Sequence, residues 1–515
     1  MGIIVAPQPP AAEEGLKVLL AGGNAVDAAV TTAFCQGVLD PQMCGIGGSG
    51  VMLLHLADGR EEVIEFHARA GSQVREDQWE RIFIREAADR YGYVLEGWVN
   101  DVGYQSVGVP GTVAGLALAL ERHGTISWAD AIRPAIPFAR DGLPVSGFVH
   151  GYWTSDSGPD ACPHDQRLQW TPEARRIFTN GGELKKIGEP LVQADYARTL
   201  ERLAEAGPQD FYTGEIGTRI AADFQAGGGF ITREDLAGYR AEVAPVLRGS
   251  YRGRDVVTAG PPVGGLALLQ MLNFLERHDL PALEWPSVEA ARLRVEAMRF
   301  AFADRDRYLA DPKFADIPVD RLLAKDYATV HDRGETTHVC VVDDAGNVVS
   351  MTHTLGAASG VVTPGLGFMY NDYLNCFDPR PGRVNSLAPG KTRWTMIAPA
   401  IVFEGGDLRA VVGAPGGTKI VTGVLQALLN LLDHRMTAVE AVSAPRVDYQ
   451  GDLVTAEGRV PEAVVAGLRQ LGYSVQRRVL NYDSYFARVQ LVASEGARLT
   501  GASDPRKDGG VALRS

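Results

Sequence analysis

The chain has 515 residues, 45% of them apolar and 22% charged, with a formal net charge of −13. Such a length can bury a large core, as roughly two to four domains or one big sandwich, while the acidic balance works against a nucleic-acid partner, which needs a basic face to release phosphate counterions. No run of about eighteen apolar residues exists to cross a bilayer, and Met1 to Pro7 lack the basic start and apolar stretch of a secretory signal, so residence in the cytoplasm and no membrane partner are expected.

The first strong element runs at helical spacing over residues 11–20 and stops at Gly22-Gly23. Asn24 then caps a second helix, with Asp27 where the helix dipole favours negative charge and Val26, Ala29, Val30, Ala33 and Phe34 on an apolar face that ends before Pro41. The next segment, Gly45-Ile46-Gly47-Gly48-Ser49-Gly50, satisfies the GxGxxG pattern of dinucleotide sites. Its context is wrong for one, because a helix precedes it and a hairpin follows (51–56, an Asp58-Gly59 turn, 62–66).

Residues 109–325 read as mostly helical, with apolar periodicity in 115–120, 194–203 and 288–308 and Gly/Pro breaks between; Gly227-Gly228-Gly229 is a loop. From Thr336 onward the character changes to strands. The five cysteines (35, 44, 162, 340 and 376) are odd in number and lack CxxC spacing, which points to reduced thiols in the core.

Residues 336–343 are β-branched and apolar, Asp344-Ala345-Gly346 is a turn, and 347–354 return, which predicts an antiparallel hairpin. With a three-residue loop between Asp343 and Asn347, Thr336 stands across from Thr354, with Cβ atoms about 5 Å apart and the hydroxyls within hydrogen-bonding reach. A slip of one residue abolishes this pairing. Farther on, Val411-Val412-Gly413 runs into Ala414-Pro415-Gly416-Gly417, a turn whose glycines let backbone N–H groups approach a ligand as an oxyanion hole requires. His338-Val339-Cys340 is strand alternation, and without an HExxH or Cys/His cluster neither a metal nor another cofactor is expected.

At these residues, and over essentially the whole chain, the sequence resembles the γ-glutamyltransferase family. The motifs that carry the resemblance, in order, are Gly22-Gly23-Asn24-Ala25-Val26-Asp27-Ala28-Ala29, Gly45 to Gly50, Val109-Pro110-Gly111-Thr112-Val113-Ala114-Gly115, and Pro261-Pro262 with Gly264-Gly265. They continue with Glu296-Ala297-Met298-Arg299 and Ala303-Asp304-Arg305, Thr336-Thr337-His338 with Val341-Val342-Asp343, Pro415-Gly416-Gly417, and Ala502-Ser503-Asp504-Pro505-Arg506. The resemblance implies an N-terminal-nucleophile hydrolase of α+β class, a four-layer αββα sandwich built from both fragments of a precursor that cuts itself between Glu335 and Thr336. The fragments are then residues 1–335 and 336–515, held together as a heterodimer, with pairing of such heterodimers left open. Thr336 becomes the nucleophile and, through its new α-amine, its own base; Thr354 orients it, and Gly416 and Gly417 donate to the oxyanion. A chain-terminal amine titrates at roughly 7.7–8.0, which suits that role at neutral pH.

The same resemblance places the family's substrate-gripping positions on residues that cannot grip an α-amino acid. The Arg position falls on His67, the Asn after the second threonine on Gly356, the Gln and Asp on Tyr373 and Cys376, and the Ser pair on Thr395 and Met396. The expected pocket is therefore rebuilt, more apolar and aromatic around Tyr373, Trp394 and Met396, with Arg69 or Arg393 as the remaining candidates to hold a carboxylate. The function expected is an amidase or acyltransferase acting on a small-molecule amide through a threonine acyl-enzyme, with water or an amine as acceptor and an acyl group other than ordinary γ-glutamyl. The alternatives are a true γ-glutamyl hydrolase or transferase with different contacts, and an unprocessed, catalytically silent binding protein.

Overall fold

In the computed structural model the described residues are 2–87, 92–325, 327, 337–496 and 498–513; Glu335 and Thr336 lie outside them. Two antiparallel sheets pack face to face, each covered on its outer face by helices. The first sheet has seven strands in the order Glu242–Ala244, Glu61–Phe66, Ser49–His55, Val348–Thr354, Thr337–Val342, Ile3–Ala6 and Gly510–Leu513. The second has six: Val246–Tyr251, Arg254–Ala259, Ala400–Glu404, Asp407–Gly413, Gln490–Glu495 and Arg498–Ser503. Both sheets interleave strands from before and after position 336. This is the four-layer αββα sandwich of the N-terminal-nucleophile hydrolases.

Strand alternation explains the layering. Ile3, Val5, Val51, Leu53, Cys340, Val342 and Val348 join the core shared with the second sheet and its helices Gly265–Glu276, Val288–Tyr308 and Lys419–Leu432. Their neighbours Ile4, Met52, Leu54, Val339, Val341, Val349 and Met351 face the opposite core, under helices Pro9–Leu20, Ala25–Leu39 and Thr112–His123. The Asn24 cap forms as expected, its side chain accepting from Val26 and Asp27 N–H while Asp27 accepts from Asn24 N–H. The Gly45–Gly50 segment enters the strand Ser49–His55 of a hairpin, in place of opening a nucleotide-binding helix. Among the described residues no helix is long and apolar enough to cross a membrane.

Two expectations need correction. The stretch 109–325 is not only helical: residues 242–259 form three strands that complete an edge of each sheet, around the Arg252-Gly253 turn. Beyond 336 the strands are joined by helices, the largest being Lys419–Leu432.

A fully buried ion network closes the C-terminal side. Arg506 pairs with Glu457 at 2.7 Å and Asp504 at 2.9 Å, and Asp504 pairs with Arg446 at 2.6 Å. Arg446 also donates to the Ala487 carbonyl, and Arg488 N–H donates to the Pro415 carbonyl at 2.8 Å, so the network fixes the segment, just before strand Gln490–Glu495, that backs the Pro415-Gly416-Gly417 turn. Removing one partner of a buried pair strands the other charge, at a cost of about 3–5 kcal/mol. Arg506→Ala is expected to lower the thermal unfolding midpoint by many degrees in a calorimetric scan, whereas a midpoint within about a degree of wild type would show that the network contributes nothing net.

Candidate active site

The site is built on the central hairpin. Strands Thr337–Val342 and Val348–Thr354 pair over six residues, from Thr337 opposite His353 to Val342 opposite Val348. This is the register set by a three-residue loop between Asp343 and Asn347. The Asp343 carboxylate fixes that loop, accepting from Ala345 and Asn347 N–H at 2.9 Å each. On its other side Val348–Thr354 pairs with Ser49–His55, which brings Ser49 directly across from Thr354. Alternation puts Thr354 on the face of Ser350 and Thr352, the face turned to the second sheet, where Ser350 Oγ donates to the Val412 carbonyl at 3.1 Å. The Thr354 hydroxyl is buried and accepts from Gly356 N–H at 2.8 Å.

Strand Asp407–Gly413 delivers the glycine turn to the same end of the molecule. A Cβ on Gly413 would fall 2.1 Å from the His338 ring, so glycine there lets the second sheet close onto the hairpin. Gly416 and Gly417 have φ of +139° and +65°, backbone that favours glycine, and a Cβ on Gly416 would meet Ala487 Cα at 2.4 Å. Their carbonyls accept from Lys419 and Ile420 N–H, which turns the chain into helix Lys419–Leu432.

Beside Thr354 the structure gathers part of the anticipated pocket. Arg393, buried, lies 4.3 Å over the Tyr373 ring and donates to Asn375 and, at 3.1 Å, to Cys376 Sγ. The Tyr373 hydroxyl meets His67 Nδ1 at 3.5 Å. Burial, reinforced by the charge of Arg69, lowers the His67 imidazole to about 3, so it is neutral at working pH. Burial raises the Tyr373 phenol, leaving it a neutral hydrogen-bonding group.

Other candidates are not brought there. Arg69 is held by Glu242 at 2.6 Å and by the Arg240 carbonyl at 3.2 Å, with its guanidinium 5.2 Å over Tyr239, so it is a structural ion pair rather than a carboxylate clamp. Thr395 donates its N–H to the Pro262 carbonyl and accepts from Ile397 N–H on its hydroxyl. Met396 packs in the core shared with the second sheet, its backbone against Gly264, and Trp394 carries Arg305 on its face at 4.4 Å. The apolar wall expected from Trp394 and Met396 is thus core packing.

Sequence reasoning missed three of four groups that the structure sets apart. Ser49 Oγ, His67 Nε2, Asp372 Oδ1 and Thr418 Oγ1 are buried without a hydrogen-bond partner among the described residues, and of these only His67 was singled out as a candidate. Ser49 sits in the glycine motif taken as backbone, Thr418 follows the Gly-Gly pair, and Asp372 precedes Tyr373. Adjacency to a motif was the only available signal. A buried orphan polar atom is costly and uncommon, and several in one place mark a ligand site.

Comparison with known proteins agrees with this geometry. The family model described as gamma-glutamyltranspeptidase matches residues 11–513. The acylase ACY 1 proenzyme of Pseudomonas sp. (strain V22) is 37% identical over 530 residues, covering 99% of this chain and 92% of its own. The glutathione hydrolase proenzyme of Escherichia coli (strain K12) is 32% identical over 541 residues, covering 98% and 90%. The crystal structure of cephalosporin acylase from Bacillus halodurans superposes with a TM-score of 0.87 at 28% identity, over 100% of this chain and 96% of that one.

The buried histidines give a direct check on these electrostatics. Burial lowers His67 and His338 to about 3 and His353 to about 4, so none should gain a proton between pH 8 and 5. In spectra of ¹³C-labelled histidine, with each ring assigned from a single His→Gln variant, the three signals should stay fixed over that range. A midpoint near the ordinary 6.5 for His67 would show that its ring is open to water.

Proposed function

The chain belongs to the gamma-glutamyltranspeptidase family of self-processing, amide-cleaving enzymes, and from that premise we propose that Thr336 is its nucleophile and Glu335-Thr336 its cleavage site. The observation that supports this is the register of Thr337 opposite His353, which is the one expected if Thr336 follows in line with Thr354, whose hydroxyl is buried on the face toward the glycine turn. In the precursor the Thr336 hydroxyl attacks the Glu335 carbonyl, the Glu335–Thr336 C–N bond breaks to leave an ester and a free Thr336 α-amine, and water then hydrolyses the ester, releasing the Glu335 carboxylate and restoring the hydroxyl.

In the processed enzyme that amine takes the hydroxyl proton as Oγ1 attacks the substrate's acyl carbon. The negative charge gathering on the acyl oxygen is met by Gly416 and Gly417 N–H groups, and such donors contribute about 3–4 kcal/mol to the transition state. The amine product leaves with the proton, and water or a second amine resolves the acyl-enzyme by the reverse sequence. The fragments 1–335 and 336–515 stay together as a heterodimer, because separating them would tear strands out of both sheets. Residence in the cytoplasm is part of the same proposal, supported by five buried cysteines that form no disulfide among the described residues.

The substrate is a small amide whose acyl group is not ordinary γ-glutamyl. His67, Gly356, Tyr373 and Cys376 offer no anion for an α-ammonium, the Arg393 guanidinium is engaged with Tyr373, Asn375 and Cys376, and the likeness to a cephalosporin acylase favours an N-acyl amine such as an N-acylated cephalosporin. Each lost charged contact costs on the order of 1.5–3 kcal/mol, so several together should lower kcat/KM for γ-glutamyl nitroanilide by several powers of ten.

Purified protein is expected to resolve into two fragments, the smaller beginning Thr-Thr-His-Val-Cys, with Thr336→Ser still cleaving and Thr336→Ala remaining one chain. The processed enzyme should deacylate an N-acyl cephalosporin while leaving glutathione nearly untouched. Cleavage of the alanine variant at the same bond would overturn the nucleophile assignment. A kcat/KM of about 10⁴ M⁻¹s⁻¹ or more on glutathione would restore the γ-glutamyl alternative.

A further inference from the structure

We propose that Asp372 reads the acyl group of the substrate, its Oδ1 accepting a hydrogen bond from an uncharged donor on that group, for which a carboxamide N–H is the fitting chemistry. The inference rests on the amidase reading above and names what that site selects.

The carboxylate is buried and its two oxygens differ. Oδ2 is fully engaged, accepting from Ala357 N–H and Asn375 Nδ2 at 3.1 Å each, with Arg167 Nη1 at 3.7 Å. Oδ1 has no partner among the described residues. It points at Gly356, two residues past Thr354: a Cβ built there would lie 1.9 Å from Oδ1 and 3.6 Å from Arg393 Nη2. Gly356 has φ +72°, so glycine is required both by the backbone and by the carboxylate. No side chain at 356 can supply a contact to the acyl group. The carboxylate from the neighbouring loop takes up that space, while Gly356 N–H donates to the Thr354 hydroxyl.

Charge decides what kind of donor fits. Asp372 and Asp101 face Arg167 and Arg393, two anions against two cations, and His67 beyond them is neutral. An ammonium or a carboxylate entering this set would leave a buried charge unbalanced, which is expensive, whereas a neutral donor meets Oδ1 without that cost. Burial raises the Asp372 carboxyl against the pull of Arg167 and Arg393, so the test is run at about pH 8.5, where the carboxylate is the acceptor.

The test uses processed enzyme and two nitroanilides of one chain length, whose acyl groups end in a carboxamide or in the isosteric methyl ketone. The wild type is expected to prefer the carboxamide by about tenfold or more in kcat/KM, the effect of one hydrogen bond to a charged acceptor. In Asp372→Asn the two donors on Oδ2 retain the amide oxygen there and turn its NH₂ toward the substrate, where either acyl end accepts through its carbonyl, so the preference should be lost. A residue with a purely structural role would lower both substrates together.

A wild-type ratio near one overturns the proposal without needing any variant. A ratio that stays in favour of the carboxamide in Asp372→Asn overturns it as well, with self-cleavage of that variant reporting that it folds. If processed wild type turns over neither nitroanilide, the amidase reading fails, and this inference with it.

Discussion

The site depends on the register between strands Thr337–Val342 and Val348–Thr354, in the middle of the seven-stranded sheet. Both strands are buried on both faces, and residues that alternate along them belong to different cores. A shift by one residue would turn Cys340 and Val342 toward the first-layer helices and Val339 and Val341 toward the second sheet, reversing two packed layers at once. The Asp343 carboxylate, bonded to the loop N–H groups and to Ala25 N–H at 2.9 Å, ties that register to the start of helix Ala25–Leu39. The position of the Thr354 hydroxyl is therefore enforced by a large hydrophobic core, far more strongly than any contact within the site could manage.

Close approach of the two sheets is the second condition. His338 is sandwiched between Thr352, at 2.7 Å from its Nδ1, and Gly413, where no Cβ would fit. Past Gly413 the glycine turn rests on Ala487, and Ala487 is held by Arg446, itself locked into buried carboxylates. Buried ion pairs add little to stability when compared with apolar replacements, but a half-removed one is costly, so this network resists local distortion. Rigid support of this kind suits backbone donors that must meet an oxyanion without rearranging.

Around this frame several buried polar atoms lack a hydrogen-bond partner among the described residues. Ser49, His67, Asp372 and Thr418 come from four separate segments, yet they flank the hairpin end and the glycine turn. Arg393 lies between Tyr373, Asn375 and Cys376, a neutral lining where the family pattern has charged contacts to an α-amino acid. The attacking apparatus and the acyl pocket are supported by different elements, which allows one to change while the other stays.

Much of the fold was legible in the sequence because it was written locally. The Asn24 cap, the Asp58-Gly59 hairpin, the helix over 288–308 and the pairing of Thr337 with His353 each follow from turn chemistry and periodicity within about twenty residues. The order of short motifs pointed to the same architecture. The strands Val246–Tyr251 and Arg254–Ala259 were missed because they are short edge strands within a helical stretch. Arg69 looked like a substrate clamp, and the sequence gives no hint that Glu242 would reach it from the adjacent strand. Met396 and Trp394 looked like pocket walls, and only the packing of the second sheet's helices shows them to be core. Asp372 carried no signal beyond its place next to Tyr373, since its two oxygens become different only when Ala357, Asn375 and Arg167 converge on one of them. Local chemistry determines which elements form and how neighbours pair; which polar groups end up satisfied, and which are left for a ligand, is settled by contacts between segments far apart in the chain.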